Sequence, residues 1–440
     1  MDSPIIGRTA AEIVDSVRML RDRGQLHGGD PLPPVRTLAE SLGLNRNTVV
    51  AAYRELTRAG LIVTQGRSGT RMADDVPVAQ EGYAPGTALH DVGTGNPDPR
   101  WIPDPATAFA AVAGRPVLYG EPVIDAGLEE WAYAWMTQDL APRDVRLTVT
   151  SGAVDAVERL LAQALTRDDA VALEDPCWLA GIQTVRLGGY RAVPVATDEE
   201  GMTVQGLSAA LDQGVRAIIC TPRAQNPTGA SLSAARALAL REVLAEHPYV
   251  LVIEDDHFSL LSRRPFHSIV GAGHKRFALV RSVSKFLGPD MCLAVTASDP
   301  ATADRLALRL SPGTTWVSHL LQRLAHALLT DTAVRDRIEA AGAHYSDRNA
   351  AFAQRLTDAG LATVAGDGLN LWVALPVSAR GASEQLMRRG WLARSGDEFG
   401  LDEHASGHLR LTVHDLDEGL AGKLAADLAA SVRAAAREMG

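Results

Sequence analysis

The chain has few cysteines, few aromatic residues and no long apolar run. Its three cysteines, Cys177, Cys220 and Cys292, are far apart and form no CxxC pair, so neither a zinc site nor a disulfide framework is expected. No stretch of about 18 uncharged apolar residues is present, and no apolar segment follows a basic start. We therefore expect a cytoplasmic protein without a bound metal.

A basic excess, which would indicate a nucleic-acid partner, is also missing from the chain as a whole. The net charge of the 440 residues is −10. Its distribution is uneven, however, because the stretch from Arg36 to Arg71 contains six arginines and only two glutamates, a local balance of +4. A local excess on one module is enough to steer that module toward phosphate groups.

The first 72 residues contain three helical patterns followed by two short strand-like pieces. The predicted helices are residues 9–24, Arg36–Leu42 and a third that Asn45 caps and Gly60 ends; the predicted strands are Leu61–Thr64 and Thr70–Met72. Three helices and a hairpin in this order are typical of a winged helix-turn-helix. Residues 73–88 lack periodicity and are rich in proline, glycine and acids, which predicts a linker.

Residues 89–440 alternate between apolar strand-like runs and helical stretches. The runs are Val145–Val149, Ala170–Leu173, Ala192–Ala196, Ala217–Cys220, Val250–Ile253 and Phe277–Val280. Their regular spacing predicts an α/β fold with a largely parallel sheet. Beyond residue 300 the pattern is helix-rich to about 360, then strand-like over Leu369–Leu375 and Leu409–Val413, then helical over 417–437, which predicts a smaller α+β part.

Three polar residues each follow an apolar run of this α/β part. Lys285 follows the last run, Asp255 lies 30 residues before it, and Asn226 lies 29 residues before Asp255. Ligands collect at the carboxyl ends of strands in open sheets, so these side chains are expected to meet. A lysine that forms a Schiff base, an aspartate on the pyridine nitrogen and an asparagine on the ring hydroxyl are what a pyridoxal-phosphate site requires.

Two more features belong to the same pattern. Gly152 and Ala153 open the predicted helix Val154–Leu165, whose backbone amides and dipole suit a phosphate. Trp178 could lie flat against a cofactor ring. Each element alone is weak evidence, because a lone lysine is usually a solvated surface charge. The ordered set is a much stronger indication.

Residues 89–440 resemble the class I and II aminotransferases of fold-type I, which implies a role for each matching position. Around the cofactor ring, Lys285 matches the Schiff-base lysine, Asp255 the pyridine-nitrogen aspartate, Asn226 the ring-hydroxyl asparagine and Trp178 the stacking aromatic residue. At the phosphate, Gly152, Ala153 and Ser282 match phosphate-binding positions, and Ser284 lies beside them in the sequence. Tyr119 matches a tyrosine that reaches the neighbouring subunit's phosphate. Arg410 matches the arginine that clamps a substrate carboxylate, a task that suits a bidentate guanidinium. The alternative for Arg410 is an ordinary charge at a strand edge.

The chain departs from the aminotransferase pattern at two positions. His257 stands where a tyrosine is usual, and a neutral imidazole can still donate to the ring oxygen although it titrates near neutrality. Cys292 stands where the family places a phosphate-binding arginine. Losing that guanidinium should weaken cofactor retention, unless nearby Arg281 compensates.

Residues 9–72 resemble the winged helix of GntR-type regulators. The matching segments are Asp30–Ala39, with Pro34 where serine is usual, Leu44–Val50, Tyr53–Leu56 and the wing tip Gly66–Thr70. The resemblance implies that Arg46, Asn47 and Thr48 read base edges. It also implies that Arg36, Arg54, Arg67 and the amides near Gly69 contact the DNA backbone. Tyr53 is expected to pack between helices, and a protein-interaction module is the alternative to DNA binding.

A GntR-type head with an aminotransferase-like body is the domain organisation of the MocR subfamily. Within it, the segments around Asp255, Lys285 and Trp316 look most like the PtsJ-type members. These members are associated with vitamin B6 metabolism. The leading hypothesis is a DNA-binding transcription regulator that senses pyridoxal phosphate or an amino-acid adduct of it. A working aminotransferase with a DNA-binding head and a non-catalytic amino-acid sensor stay open. A homodimer is expected, since the fold builds its sites across a two-fold interface.

Overall fold

The structure, a computed structural model, describes residues 5–59, 61–64, 69–72, 81–84, 86–141, 143–311, 313, 315–401 and 406–439. The chain divides into two compact units, Met1–Ala79 and Gln80–Gly440. The division falls inside the segment predicted to be a linker. Each unit is described separately below.

The N-terminal unit consists of three helices and a hairpin. They are α1 (Ala10–Asp22), α2 (Val35–Leu42), α3 (Arg46–Arg58), β1 (Ile62–Thr64) and β2 (Thr70–Met72). The two strands pair antiparallel, and a buried cluster of aliphatic side chains from all three helices forms the core. Thr9 caps α1 by accepting from Glu12, and Gly43 ends α2 in the left-handed region at φ 65°. The winged helix-turn-helix prediction is confirmed element by element.

The C-terminal unit contains the remaining elements. Its helices are α4 (Phe109–Val112), α5 (Ala126–Thr137), α6 (Ala153–Ala164), α7 (Leu179–Leu187), α8 (Val204–Asp212), α9 (Ala234–Ala245), α10 (Ser284–Leu287), α11 (Pro300–Leu310), α12 (His319–Thr330), α13 (Thr332–Asp358), α14 (Ala379–Met387) and α15 (Glu418–Met439). Its strands are β3 (His90–Asp91), β4 (Arg146–Thr150), β5 (Ala170–Asp175), β6 (Arg191–Asp198), β7 (Gly201–Met202), β8 (Ala217–Cys220), β9 (Leu251–Asp255), β10 (Phe277–Ser282), β11 (Ala294–Ser298), β12 (Asn370–Ala374), β13 (Trp391–Leu392), β14 (Arg394–Ser395) and β15 (His408–Thr412).

An eight-stranded sheet runs through this unit in the order β4-β11-β10-β9-β8-β5-β6-β7. Strands β10, β9, β8, β5 and β6 are parallel, as predicted, and β8, β9 and β10 are buried along their whole length. Burial on both faces explains why these strands appear in the sequence as continuous apolar runs. Strand β11 was not predicted; it runs antiparallel between β4 and β10, and its short side chains give a weak strand signal.

The smaller α+β part is also present. Strands β12, β15 and β14 form an antiparallel sheet, and α13, α14 and α15 pack with it around a separate apolar cluster. The predicted strands and the final helix are confirmed, whereas α14 was not foreseen. Among the described residues, no helix is long and apolar enough to cross a membrane.

Candidate functional site

The structure brings the predicted lysine, aspartate and asparagine to the same edge of the large sheet. Asp255 is the last residue of β9 and is paired in register with Val280 of β10, after which the chain turns into α10 with Lys285 in its first turn. Asn226 lies in the loop that follows β8, the strand on the other side of β9. Strand adjacency therefore determines the site, as the rule for parallel sheets predicts.

Asp255 is a buried carboxyl group whose Oδ1 has no hydrogen-bond partner among the described residues. Burial, together with the charge of Asp256, raises its pKa to about 7, although Lys285 opposes the shift. A buried acceptor without a partner costs free energy unless a donor from elsewhere satisfies it. The arrangement suits a ligand that presents a positively charged N–H.

Lys285 lies in the first turn of α10, and its Nζ donates to the carbonyl oxygen of Gly95 at 3.0 Å. Burial lowers the pKa of this lysine, and the charge of Arg410 adds to the effect, while Glu81 and Asp255 oppose it. A lowered pKa increases the neutral fraction of an amine, and the neutral form is the nucleophile toward a carbonyl group.

His257 follows Asp255 by two residues and is half-buried. Burial, with a contribution from Lys285, lowers its pKa to about 4. The expectation that this histidine titrates near neutrality is therefore corrected: its imidazole is neutral over the physiological range and keeps one N–H to donate.

The residues that match phosphate-binding positions lie together at the same edge of the large sheet, where β4, β11 and β10 meet. Ala294 at the start of β11 pairs with Thr150 of β4 on one side and with Ser282 of β10 on the other. Gly152, at φ +96°, then leads the chain into α6 directly after β4. Ala153 and Ser282 are buried, and Ser284 is half-buried at the start of α10.

Cys292 lies two residues before Ala294 and hence at this same edge. Its thiol is exposed and donates to the carbonyl oxygen of Pro289 at 3.3 Å. No guanidinium stands at this position. Cys177 and Cys220, in contrast, are buried as small apolar residues.

Arg281 does not replace the missing phosphate-binding arginine. Its guanidinium is fully buried, where it contacts Asp256 at 2.8 Å, Asp139 at 2.5 Å and the carbonyl oxygen of Trp135 at 2.5 Å. All three nitrogens thus have partners within the protein. The suggestion that Arg281 compensates for Cys292 is wrong for this physical reason.

Arg410 is buried in the middle of β15, and its partner is a residue that sequence reasoning missed. Its Nη1 and Nη2 donate to the two carboxylate oxygens of Glu81 at 2.7 and 2.8 Å. Nη1 also donates to Asn226 Oδ1 at 3.1 Å, which brings Arg410 to the Lys285 site. Glu81 was read as part of a structureless linker, because an isolated acid among glycine and proline carries no periodic signal.

The two predicted aromatic residues differ in their surroundings. Trp178 directly precedes α7, just beyond the carboxyl end of β5, and is half-buried. Tyr119 is exposed, and its ring centroid lies 5.4 Å from that of Trp316.

The predicted DNA-contacting residues that the structure describes lie on the surface of the N-terminal unit. Asn45 caps α3, so that Arg46 and Asn47 are exposed in its first turn and Thr48 is half-buried. Further surface positions are Arg54 on α3, Gly69 at φ +86°, and Arg36, which pairs with Glu40 at 2.9 Å. Arg67 belongs to residues 65–68, which lie outside the described residues. Tyr53 is buried, and its hydroxyl donates to the carbonyl oxygen of Pro33 at 2.7 Å, so it packs inside the unit as expected.

Comparison with known families matches both units. The family described as bacterial regulatory proteins, gntR family, matches residues 9–72, and aminotransferase class I and II matches residues 91–426. The chain is 46% identical to the vitamin B6 salvage pathway transcriptional repressor PtsJ of Salmonella typhimurium, over 96% of this chain and 98% of that protein. The chain belongs to the MocR subfamily of GntR-type regulators.

A second regulator and a solved aminotransferase are also similar to the chain. The pyridoxine biosynthesis regulator PdxR of Corynebacterium glutamicum is 25% identical over 93% of this chain and 95% of its own length. Among solved structures, the α-aminoadipate aminotransferase LysN of Thermus thermophilus, complexed with N-(5'-phosphopyridoxyl)-L-leucine, superposes with a TM-score of 0.70 at 23% identity, covering 80% of this chain and 93% of LysN. That likeness shows the fold-type I aminotransferase architecture of this MocR-type body.

Proposed function

We propose that this protein is a transcription regulator that binds operator DNA through its winged helix and senses pyridoxal 5'-phosphate through its aminotransferase-like body. Similarity to PtsJ and PdxR over nearly the whole chain supports a role in the control of vitamin B6 metabolism. The observation that carries the cofactor assignment is the unpartnered, buried Oδ1 of Asp255 one strand away from Lys285.

The residues at the sheet edge fit this cofactor. Bound pyridoxal phosphate supplies an aldehyde that a lysine amine can capture and a ring that withdraws electrons. Lys285 is the amine in this proposal, and Asp255 accepts from the ring nitrogen. Asn226 and neutral His257 donate to the ring oxygen, and Trp178 lies against the ring face.

The phosphate end of the site is proposed to be weaker than in an aminotransferase. Backbone amides at Gly152 and Ala153, with the hydroxyls of Ser282 and Ser284, would hold the phosphate at the amino end of α6. Cys292 supplies no charge, so the cofactor is held by fewer charge-assisted bonds. Reversible binding follows, which suits a detector of cofactor concentration.

Two copies of the chain are expected to act together in the cytoplasm. In a homodimer the exposed Tyr119 of one copy can reach the phosphate in the other, and two winged helices can meet paired half-sites. We propose residues 1–72 as the DNA-binding domain, 73–88 as the linker and 89–440 as the effector domain. Arg46, Asn47 and Thr48 read bases in this proposal, while Arg36, Arg54, Arg67 and Gly69 contact phosphates.

An aminotransferase or an amino-acid sensor is the second candidate. It is favoured by one observation, the buried position of Arg410 within hydrogen-bond distance of Asn226, since a guanidinium there can hold a substrate carboxylate. In that case Lys285 would also move the proton in the reaction.

Absorbance spectroscopy of the purified protein with added pyridoxal phosphate tests the sensor proposal at its first step. The wild type should develop a visible band, and after borohydride reduction mass spectrometry should find the added cofactor mass on the peptide that contains Lys285. Lys285→Ala should show neither. A wild type without the band would overturn the cofactor assignment, and conversion of the cofactor to its amine form by an amino acid would favour the second candidate.

A further inference from the structure

The carboxylate of Glu81 fills the guanidinium fork of Arg410, the residue proposed to hold a substrate carboxylate in the second candidate function. Two parallel bonds of 2.7 and 2.8 Å join it to the terminal nitrogens of Arg410. Its Oε1 also accepts from Asn226 Nδ2 at 3.2 Å. This is the bidentate geometry that an arginine makes with a free carboxylate, here formed within one chain.

The surroundings of this pair are built to hold it. Gly95 faces both partners, and a Cβ atom there would lie 2.4 Å from Glu81 Oε2 and 3.0 Å from Arg410 Nη2. A side chain at position 95 would therefore force Glu81 or Arg410 to shift from this geometry. The segment that carries Glu81 is itself anchored, because the backbone N–H of Gly82 donates to Thr94 at 2.7 Å and that of Ala84 donates to Asp91 at 2.8 Å.

Electrostatics keep Glu81 in its charged form. Burial alone would raise the pKa of Glu81, but the charge and hydrogen bonds of Arg410, with smaller contributions from Lys285 and Arg394, lower it below its usual value. Glu81 is the carboxylate that compensates Arg410, whose side chain is fully buried. Removing Glu81 would leave an uncompensated guanidinium that any small carboxylate could satisfy.

We propose that Glu81 is a specificity-determining residue that keeps the carboxylates of free amino acids away from Arg410. The proposal rests on the sensor function above and deepens it, since it makes the cofactor alone the effector. A tethered carboxylate competes at an effective concentration on the order of millimolar or more. An amino acid must therefore exceed that range before it displaces Glu81.

The test uses the full-length protein loaded with pyridoxal phosphate, titrated with L-alanine, L-aspartate and L-phenylalanine while the visible spectrum is recorded. The wild type should respond only at high amino-acid concentration. Glu81→Ala should respond to at least one amino acid at a concentration at least tenfold lower, and acetate should compete with it. Glu81→Gln, which preserves the shape of the side chain, should respond at an amino-acid concentration between those that the wild type and Glu81→Ala require.

Glu418→Gln is the matched control, because Glu418 also pairs with arginines, Arg348 and Arg355, but on the surface between α13 and α15. It should behave as the wild type does. Equal amino-acid sensitivity in the wild type and both Glu81 variants would overturn the role of Glu81 while leaving cofactor sensing intact. Absence of any cofactor band in the wild type would instead count against the sensor function itself.

A second readout needs no cofactor. Acetate should raise the melting temperature of cofactor-free Glu81→Ala, since it refills the space beside Arg410, and should leave that of the wild type unchanged. Equal effects of acetate on both proteins would also contradict the proposal.

Discussion

Arg281 donates to Asp256 at 2.8 Å, and both side chains are completely shielded from solvent. Asp256 lies next to Asp255, and Arg223 donates to both of its carboxylate oxygens, Oδ1 at 2.8 Å and Oδ2 at 2.9 Å. The two arginines outweigh the cost of burial and lower the pKa of Asp256. Asp256 therefore carries a permanent negative charge beside Asp255, and this charge contributes to the raised pKa of Asp255.

Arg281→Gln is expected to destabilise the protein by about 3–5 kcal/mol, because it removes one partner from a buried ion pair and leaves Asp256 and Asp139 undercompensated. Denaturant unfolding monitored by circular dichroism measures the change. Arg146→Gln is the control, since Arg146 forms an exposed pair with Asp304 and its loss should cost less than about 1 kcal/mol. Equal costs for both variants would contradict the structural role of Arg281.

Asp255→Asn is expected to stabilise the cofactor-free protein at alkaline pH. The folded-state pKa is raised to about 7, so between about pH 4 and pH 7 the folded state binds more protons than the unfolded state. Asp255 therefore lowers stability progressively as the pH rises through that range. The variant should be more stable than the wild type by roughly 1–3 kcal/mol at pH 8, and the difference should shrink toward pH 4.

Thermal unfolding of the cofactor-free wild type and Asp255→Asn across this pH range measures whether the stability difference between them grows with pH. The other buried carboxyl groups with raised pKa values, Glu174 at about 8, Glu254 at about 7 and Asp367, are present in both proteins, so the comparison isolates Asp255 together with its contribution to the pKa of Glu174. A stability difference between Asp255→Asn and the wild type that grows as the pH falls would contradict the predicted pH dependence.

Cys292→Arg is expected to tighten cofactor binding roughly tenfold, because it returns a guanidinium to the edge that carries Gly152 and Ser282. The dissociation constant from a spectral titration measures the effect. Cys292→Gln controls for side-chain length without charge and should leave the constant near that of the wild type. If arginine and glutamine behave alike, the phosphate does not lie at this edge.

Arg46→Ala and Arg54→Ala should weaken DNA binding in different ways. Loss of Arg46 at the start of α3 should cost about 1–3 kcal/mol on the preferred sequence and relax the choice of base. Loss of Arg54 should weaken all sequences similarly and reduce the dependence of affinity on salt. Arg18→Ala, on the exposed face of α1, is the control, and titrations at several salt concentrations separate these outcomes.

Much of the fold could be predicted because local signals and global structure agree. The α3 helix begins after its Asn45 cap, and β8 spans the predicted residues Ala217–Cys220. Strand β11 was missed because its alanines and serine dilute the strand signal of Val295 and Thr296, and its antiparallel direction depends on a tertiary pairing with β10. Sequence periodicity does not encode such a pairing.

The candidate site also contains some residues whose positions the sequence predicts and others whose partners it does not reveal. The positions of Lys285 and Asp255 follow from the rule that ligand groups cluster at strand ends, so they could be predicted. The pairing of Glu81 with Arg410 joins residues 329 positions apart. The bonds of Arg281 to Asp256, Asp139 and the carbonyl oxygen of Trp135 likewise depend on burial, which a single sequence does not reveal.

The central claim is that pyridoxal phosphate controls DNA binding through Lys285. Fluorescence anisotropy of a labelled duplex, selected by the protein from a random pool, measures this directly when the protein is titrated with and without the cofactor. The account predicts that pyridoxal phosphate changes the affinity of the wild type several-fold and leaves that of Lys285→Ala unchanged. Identical binding curves for the wild type with and without pyridoxal phosphate would contradict it.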